Sequence, residues 1–247
     1  LASIVMLFSS TTFLFAFLPV VLVVYACCPR VLKNGWLLLA SLFFYAWGEP
    51  RVVLAMLASI GINWVFGLVV SRCHGTPRAR WAVGAAVVVN LGLLTYYKYS
   101  NFLVENWNAL AAEPLVWEHV GLPIGISFFT FQAMSYVIDV HRQDGPPQRN
   151  PLNFALYIAL FPQLIAGPIV RYRDVAAQIL ERTVTREGFT EGVRRFLIGL
   201  GKKMLLANSV AVACDDIFAV PTSEITPAMA WLAMVCYSRQ IYFDFSG

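Results

Sequence analysis

The chain has 247 residues, of which 59% are apolar and 13% charged, with a formal net charge of +4 and a mean hydropathy of +0.66. Soluble domains carry about 25% charged residues, so this composition excludes a soluble globular protein and points to an all-α polytopic membrane protein. No Lys/Arg block interleaved with aromatics marks a nucleic-acid surface, and five scattered cysteines without a C-x-x-C pair, with three isolated histidines, indicate neither a metal site nor a disulfide framework.

The first 29 residues are uncharged, and the first basic residues, Arg30 and Lys33, follow the apolar run instead of preceding it. A secretory leader needs a basic start, so residues 7–28 are expected to be a retained first span. Residues 34–48 are uncharged but short, either a short span or half of a hairpin. Residues 52–71 and 81–97 approach the spanning length of about 20 residues. The second of these ends in Tyr96-Tyr-Lys-Tyr99, an aromatic belt at a membrane surface. Residues 119–138 and 150–170 are uncharged. Residues 196–214 are apolar except for Lys202 and Lys203, and residues 225–245 except for Arg239 and Asp244.

Lys and Arg placement sets orientation. Basic residues follow the first, third and fifth runs, while Glu105, Glu113 and Glu118 outnumber Lys98 after the fourth. This alternation places the N-terminus outside and the basic loops inside. It breaks at residues 171–195, where six Arg would fall outside on a strict count. The segment 150–170 is therefore expected to dip in and return, bending at Pro162 and at Gly167-Pro168; a strongly kinked span is the alternative. Residues 171–195, with Glu191 four positions before Arg195, are expected to form one or two helices at the cytoplasmic surface.

Two blocks are apolar yet interrupted by Gly and Pro: Leu122-Pro-Ile-Gly-Ile-Ser-Phe-Phe-Thr-Phe-Gln132 and Phe161-Pro-Gln-Leu-Ile-Ala-Gly-Pro-Ile-Val-Arg-Tyr172. Broken backbone is tolerated in a bilayer where protein buries it or it lines a cavity. Gln132 and Gln163 stand beside these breaks, either to bond a substrate or to repair the freed peptide groups. The final segment, from Tyr237 to Gly247, is too rich in hydrogen-bonding side chains for a lipid-facing helix. Arg239, Tyr242 and Asp244 are therefore expected to line a cavity, with a structural Arg239–Asp244 pair as the alternative. Ionisable groups within a membrane are functional candidates. Lys202 and Lys203 are candidates for the phosphates of an anionic donor, or cations snorkelling to headgroups; Gly199-Leu-Gly-Lys-Lys203 is not a P-loop. Asp139 and His141 end the fifth run, where an ordinary interfacial loop competes with an acid–base pair.

These two blocks, with Met6-Leu-Phe-Ser-Ser10, Ser41-Leu-Phe-Phe-Tyr-Ala-Trp-Gly48, Tyr96-Tyr-Lys-Tyr99 and Tyr242-Phe-Asp-Phe-Ser-Gly247, resemble the membrane-bound O-acyltransferase (MBOAT) family. The resemblance runs from Met6 to Gly247 and is strongest to the bacterial branch that acetylates alginate. It implies a ring of tilted helices with broken or re-entrant elements. Residues 6–247 are then the N-terminal part of one membrane domain, with the 171–195 surface helices inside it. It further implies a multi-pass protein of the bacterial inner membrane with a periplasmic N-terminus. An acetyl group would pass from a cytoplasmic donor, acetyl-CoA or a related carrier used as substrate with no bound cofactor. It would go to periplasmic polysaccharide-acetylation proteins. The family's central histidine follows its Phe-Asp-Phe-Ser-Gly block, so it is expected beyond Gly247. None of His74, His119 or His141 lies in a matching motif, and this chain alone is expected to be inactive, with Met6 as the natural start. The alternative is a transporter or exporter component built on broken helices, for which the chain offers no internal repeat.

Overall fold

A computed structural model describes residues 8–48, 50–111, 113–123, 125–164 and 170–247. The described residues are helical and contain no strand. They divide into two compact units, Phe17–Arg182, and Thr183–Gly247 with residues 8–16. Among the described residues, three helical stretches are long and apolar enough to cross a membrane: Val53–Arg72, Pro77–Leu110 and Arg186–Phe218. The Met6 start and the bend at Gly167-Pro168 lie outside the described residues.

In the first unit, α1 (Leu18–Cys27) is tied to α2 (Lys33–Gly48) by Trp36, whose Nε1 donates to the Val21 carbonyl at 3.1 Å. Next come α3 (Pro50–Arg72), α4 (Pro77–Leu110), α5 (Ile126–Arg142), α6 (Pro151–Ala159), the single turn α7 (Phe161–Leu164) and α8 (Tyr172–Leu180). The core lies around α5 and α6. Phe129, Ala133, Tyr136 and Val137 of α5 are fully buried, as are Phe154, Ile158 and Ala159 of α6. α3, α4, α6 and α8 all pack against α5. The α3–α5 contact is close because Gly67 has no Cβ: a methyl there would collide with the Tyr136 ring and stand 2.9 Å from its hydroxyl oxygen.

α3 and α4 are joined by two amides. Asn63 Nδ2 donates to Asn90 Oδ1 at 3.0 Å and Asn90 Nδ2 returns a bond to Asn63 Oδ1 at 2.7 Å. Each amide also donates one turn back along its own helix, to the Ser59 and Ala86 carbonyls. Polar side chains bonded across helices hold apolar helices together where hydrophobicity gives no preference between lipid and protein.

Two expected boundaries move. The fifth run does not start as helix at His119: Pro123 and Gly125 delay α5 to Ile126, with Gly125 at φ 76°, a conformation that suits glycine. Residues 113–120 instead fold back along α4. There Asn101 Oδ1 accepts from Val120 N and Trp117 Nε1, and Asn108 bonds Leu115. α4 does not stop at the aromatic belt either. Its 34 residues extend for about 50 Å against a hydrocarbon core of about 30 Å, because hydropathy falls after Lys98 while helix-forming residues continue.

The basic loops of this unit share one end. His74, after α3, lies 6.4 Å from His141 in the last turn of α5. Asn34, at the start of α2, donates to Asn153 Oδ1 at the start of α6 and to the Ile179 carbonyl near the end of α8, both at 2.9 Å. The Arg182 guanidinium donates to the Asn34 amide oxygen.

In the second unit, α9 (Arg186–Gly201) continues through a π-helical turn, Lys202–Ala207, into α10 (Asn208–Phe218). The expected surface segment 171–195 is thus two helices, α8 and α9, and the second does not end at Arg195. α11 (Pro227–Ser246) folds back on α10 and the π turn. Ala207, Cys214 and Ala233 are buried where the helices meet, the small residues that let apolar helices approach.

Candidate functional site

The first candidate site is the break between α6 and α7. In an unbroken helix Phe161 N–H would bond the carbonyl four residues back, that of Tyr157. Leu160 leaves the helical conformation and this bond is lost. Both orphaned groups find side-chain partners. Phe161 N–H donates to Ser41 Oγ of α2 at 3.2 Å, and Gln132 Nε2 of α5 donates to the Tyr157 carbonyl at 2.9 Å. The Ser41 hydroxyl passes its own proton to the Leu37 carbonyl at 2.6 Å. Gln132, 3% exposed, also reaches Gln163 Oε1 at 3.3 Å, so the two glutamines read from the sequence meet at this break. The bend falls at Leu160, ahead of Pro162, because the proline occupies the first turn of α7, where its missing N–H costs nothing.

The two ends of the interrupted segment also meet. Gln148, before α6, donates from Nε2 to the Tyr172 hydroxyl at 2.9 Å, after the segment has returned. The Gln148 backbone N–H donates to Tyr136 Oη at 2.9 Å, and its carbonyl accepts from Trp64 Nε1 at 3.0 Å. Tyr157 Oη donates to the Val170 carbonyl at 2.9 Å. The rings of Tyr136, Phe154, Tyr157 and Tyr172 pack edge-on or tilted at 4.6–6.2 Å. Burial raises the Tyr172 hydroxyl above the ordinary phenol range, and the hydrogen bond from Gln148 opposes this. The nine residues of α6 rise about 13 Å, under half the hydrocarbon thickness. The geometry is a hairpin that leaves and returns at one end of the unit.

The second candidate site is in the other unit. Lys203, in the π turn, donates to Asp244 Oδ1 of α11, and Lys202 Nζ donates to the Ser246 carbonyl at 3.1 Å. Asp244 therefore pairs with Lys203 and not with Arg239, five residues back along its own helix. The Lys203 and Asp244 side chains are 41% and 34% exposed. Arg239 and Tyr242 are exposed. π turns in α-helices occur often at functional positions, and this one directs both lysines towards the end of α11. Among the described residues no cluster of three or more His, Cys, Asp or Glu could hold a metal.

The sequence names Gln132, Gln163, Lys203 and Asp244 as candidates, which the structure brings together in pairs, and gives no comparable prominence to Ser41, Gln148 and Tyr157. Ser41 and Tyr157 had one signal each, a hydroxyl inside an otherwise apolar run; Gln148 stands in a polar loop and had none.

Comparison with known proteins adds the lineage. The chain is 42% identical over 98% of its length to the probable alginate O-acetylase AlgI of Pseudomonas syringae pv. tomato, covering 47% of that protein. It is 42% identical to the probable alginate O-acetylase AlgI of Pseudomonas aeruginosa over the same shares. It is 32% identical to the peptidoglycan O-acetyltransferase of Helicobacter pylori, covering 98% of this chain and 52% of that protein. The chain spans about half the length of these curated relatives. No solved structure matches it significantly. The profile of the membrane-bound O-acyltransferase family matches residues 87–247, which take in α5, both interrupted blocks and the Lys203–Asp244 pair, and the chain belongs to that family.

Proposed function

We propose that this chain forms part of a membrane O-acyltransferase that moves an acetyl group from a cytoplasmic donor towards acetylation of a polysaccharide outside, of the alginate type. Acetyl-CoA or a related acetyl carrier is the proposed donor and periplasmic acetylation proteins the proposed partners, in the bacterial inner membrane with the N-terminus periplasmic. The observation that carries the reading is the repaired break at Leu160. Two carboxamides and two hydroxyls gather at interrupted backbone inside an apolar unit. Broken backbone in an apolar unit is tolerated where protein buries it or it lines a cavity, and a gathering of polar side chains at such a break fits the wall of a reaction chamber. The identity to alginate O-acetylases supports the acetyl group and the polymer.

In this reading Gln163, half-buried at the end of the Gln132 chain, presents a carboxamide to the path. Its Oε1 accepts from Gln132, leaving its two Nε2 hydrogens for an ester or thioester carbonyl. Lys202 and Lys203 are the proposed cations for donor phosphates, and an arriving phosphate competes with Asp244 for Lys203. Arg239 and Tyr242 are proposed to line the same path. The test is to express Gln163→Ala and Asp244→Asn in the full-length protein and measure polymer acetylation and membrane protein level together. Acetylation should drop at near-normal protein level. Normal acetylation in both variants at normal level removes these residues from the path.

A further inference from the structure

We propose that the groove along the outer face of α5, closed at one end by Arg171, holds one phospholipid, with its phosphodiester on the guanidinium and an acyl chain along the helix. α5 buries one face completely, yet Phe131, Met134, Ser135 and Ile138, spaced i, i+3, i+4 and i+7, line an open groove of about 390 Å³ together with Arg171. The long axis of this stripe follows the helix, about 10 Å from residue 131 to residue 138. Its walls are apolar except for the Ser135 hydroxyl, which is already spent on the Gln132 carbonyl at 2.8 Å. The groove therefore offers an alkyl chain contact and asks for no polar atom along its length.

Its cationic end lies where the chain of a lipid would meet its headgroup. Ile138 is one turn from the last residue of α5, Arg142. Arg171 stands at the return of the hairpin, next to Tyr172, at the end that gathers the basic loops. Arg171 is exposed, and among the described residues it forms no ion pair. Its donors remain available for a phosphate, which a guanidinium binds in a two-pronged geometry. Basic pockets between membrane helices on the cytoplasmic side are suited to lipid headgroups.

The surrounding charge separates a phosphodiester from a polyphosphate. Asp139, 5% exposed, stands in the field of Arg171 and has a buried Oδ2 without a hydrogen-bond partner among the described residues. Asp144, Arg173 and Arg142 also act on Asp139, and Arg173 is itself 3.5 Å from Asp174. The local potential is thus only mildly positive. It balances the single negative charge of a phosphodiester and leaves the several charges of a nucleotide carrier largely uncompensated.

The proposal is independent of the acyl-transfer reading, and its test reads binding alone. The full-length protein, purified in mild detergent and stripped of lipid, is titrated with phosphatidylglycerol and examined by native mass spectrometry. Diacylglycerol, without a phosphate, and acetyl-CoA are added in separate arms. Wild-type protein should retain one phosphatidylglycerol and no diacylglycerol. Arg171→Gln and Ser135→Trp, one removing the anchor and the other filling the groove, should each weaken retention about tenfold, while Arg194→Gln on α9 should not. Thermal unfolding of each variant identifies any that fails to fold, and a folded variant of either kind decides the matter. Equal lipid retention in a folded Arg171→Gln or Ser135→Trp protein overturns the proposal, as does displacement of the lipid by equimolar acetyl-CoA.

Discussion

The broken hairpin and the α10–α11 pair place the same kinds of side chain in apolar helices and use them in opposite ways. In the hairpin, Ser41, Gln132, Gln148 and Tyr157 are buried or nearly so, and each answers a particular backbone or side-chain group. In the second pair only small residues are buried, Arg239 and Tyr242 are exposed, and Lys203 meets Asp244 in a half-exposed position. Leaving a buried polar group unpaired costs its full desolvation, whereas a half-exposed ion pair is screened and contributes little. Burial, and not residue type, is thus expected to decide whether a change is felt first as lost stability or, on the proposed function, as lost transfer.

Four substitutions in the full-length protein would break or sharpen this contrast. The largest effect is expected from Gly67→Leu, because even a methyl at that position collides with the buried Tyr136 ring. Overpacking here should cost about 3 kcal/mol, read as a lower unfolding temperature in detergent. An unchanged temperature would show that α3 and α5 do not pack this closely. Next is Gln132→Leu, which keeps apolar volume but orphans the Tyr157 carbonyl. A loss of about 2 kcal/mol is expected, with abundance and acetylation falling together. Loss of acetylation alone would assign Gln132 to the path and not to the repair. Asn90→Leu removes the reciprocal amide pair with Asn63. Interhelical hydrogen bonds in membranes contribute about 1 kcal/mol, so a small drop in unfolding temperature is expected, and none at all would mean lipid or water replaces the pair. The smallest stability effect, below about 1 kcal/mol after allowing for screening, is expected from Lys203→Gln, with reduced acetylation at near-normal protein level. A marked fall in abundance would place Lys203 with the structural residues of the hairpin.

Helix content and the sharing of one end by the basic loops were legible because hydropathy and Lys/Arg placement are local signals. The returning segment 150–170 was legible from the six Arg that follow it, and the Gln148–Tyr172 bond now joins its two ends. The partners were not legible. Ser41 serves Phe161 across 120 positions and Gln132 serves Tyr157 across 25. No periodicity encodes such distances. The start of α5 was misplaced because an uncharged run conceals the turn that Pro123 and Gly125 impose. The alternative that the sequence offers for Asp244, a pair with Arg239 on its own helix, is not the one formed. The partner is supplied instead by a π turn whose extra residue rotates Lys203 towards α11.

The account rests on a hairpin that enters and leaves at one end of the unit. Single cysteines replacing Arg149, Gln178 and Val116, all exposed, test it directly in full-length protein freed of its native cysteines. Spheroplasts are treated with a membrane-impermeant maleimide before and after permeabilisation. The account predicts that positions 149 and 178 label only after permeabilisation and that position 116 labels before it. Labelling of 149 and 178 from opposite sides would make residues 150–170 a spanning helix and contradict the account.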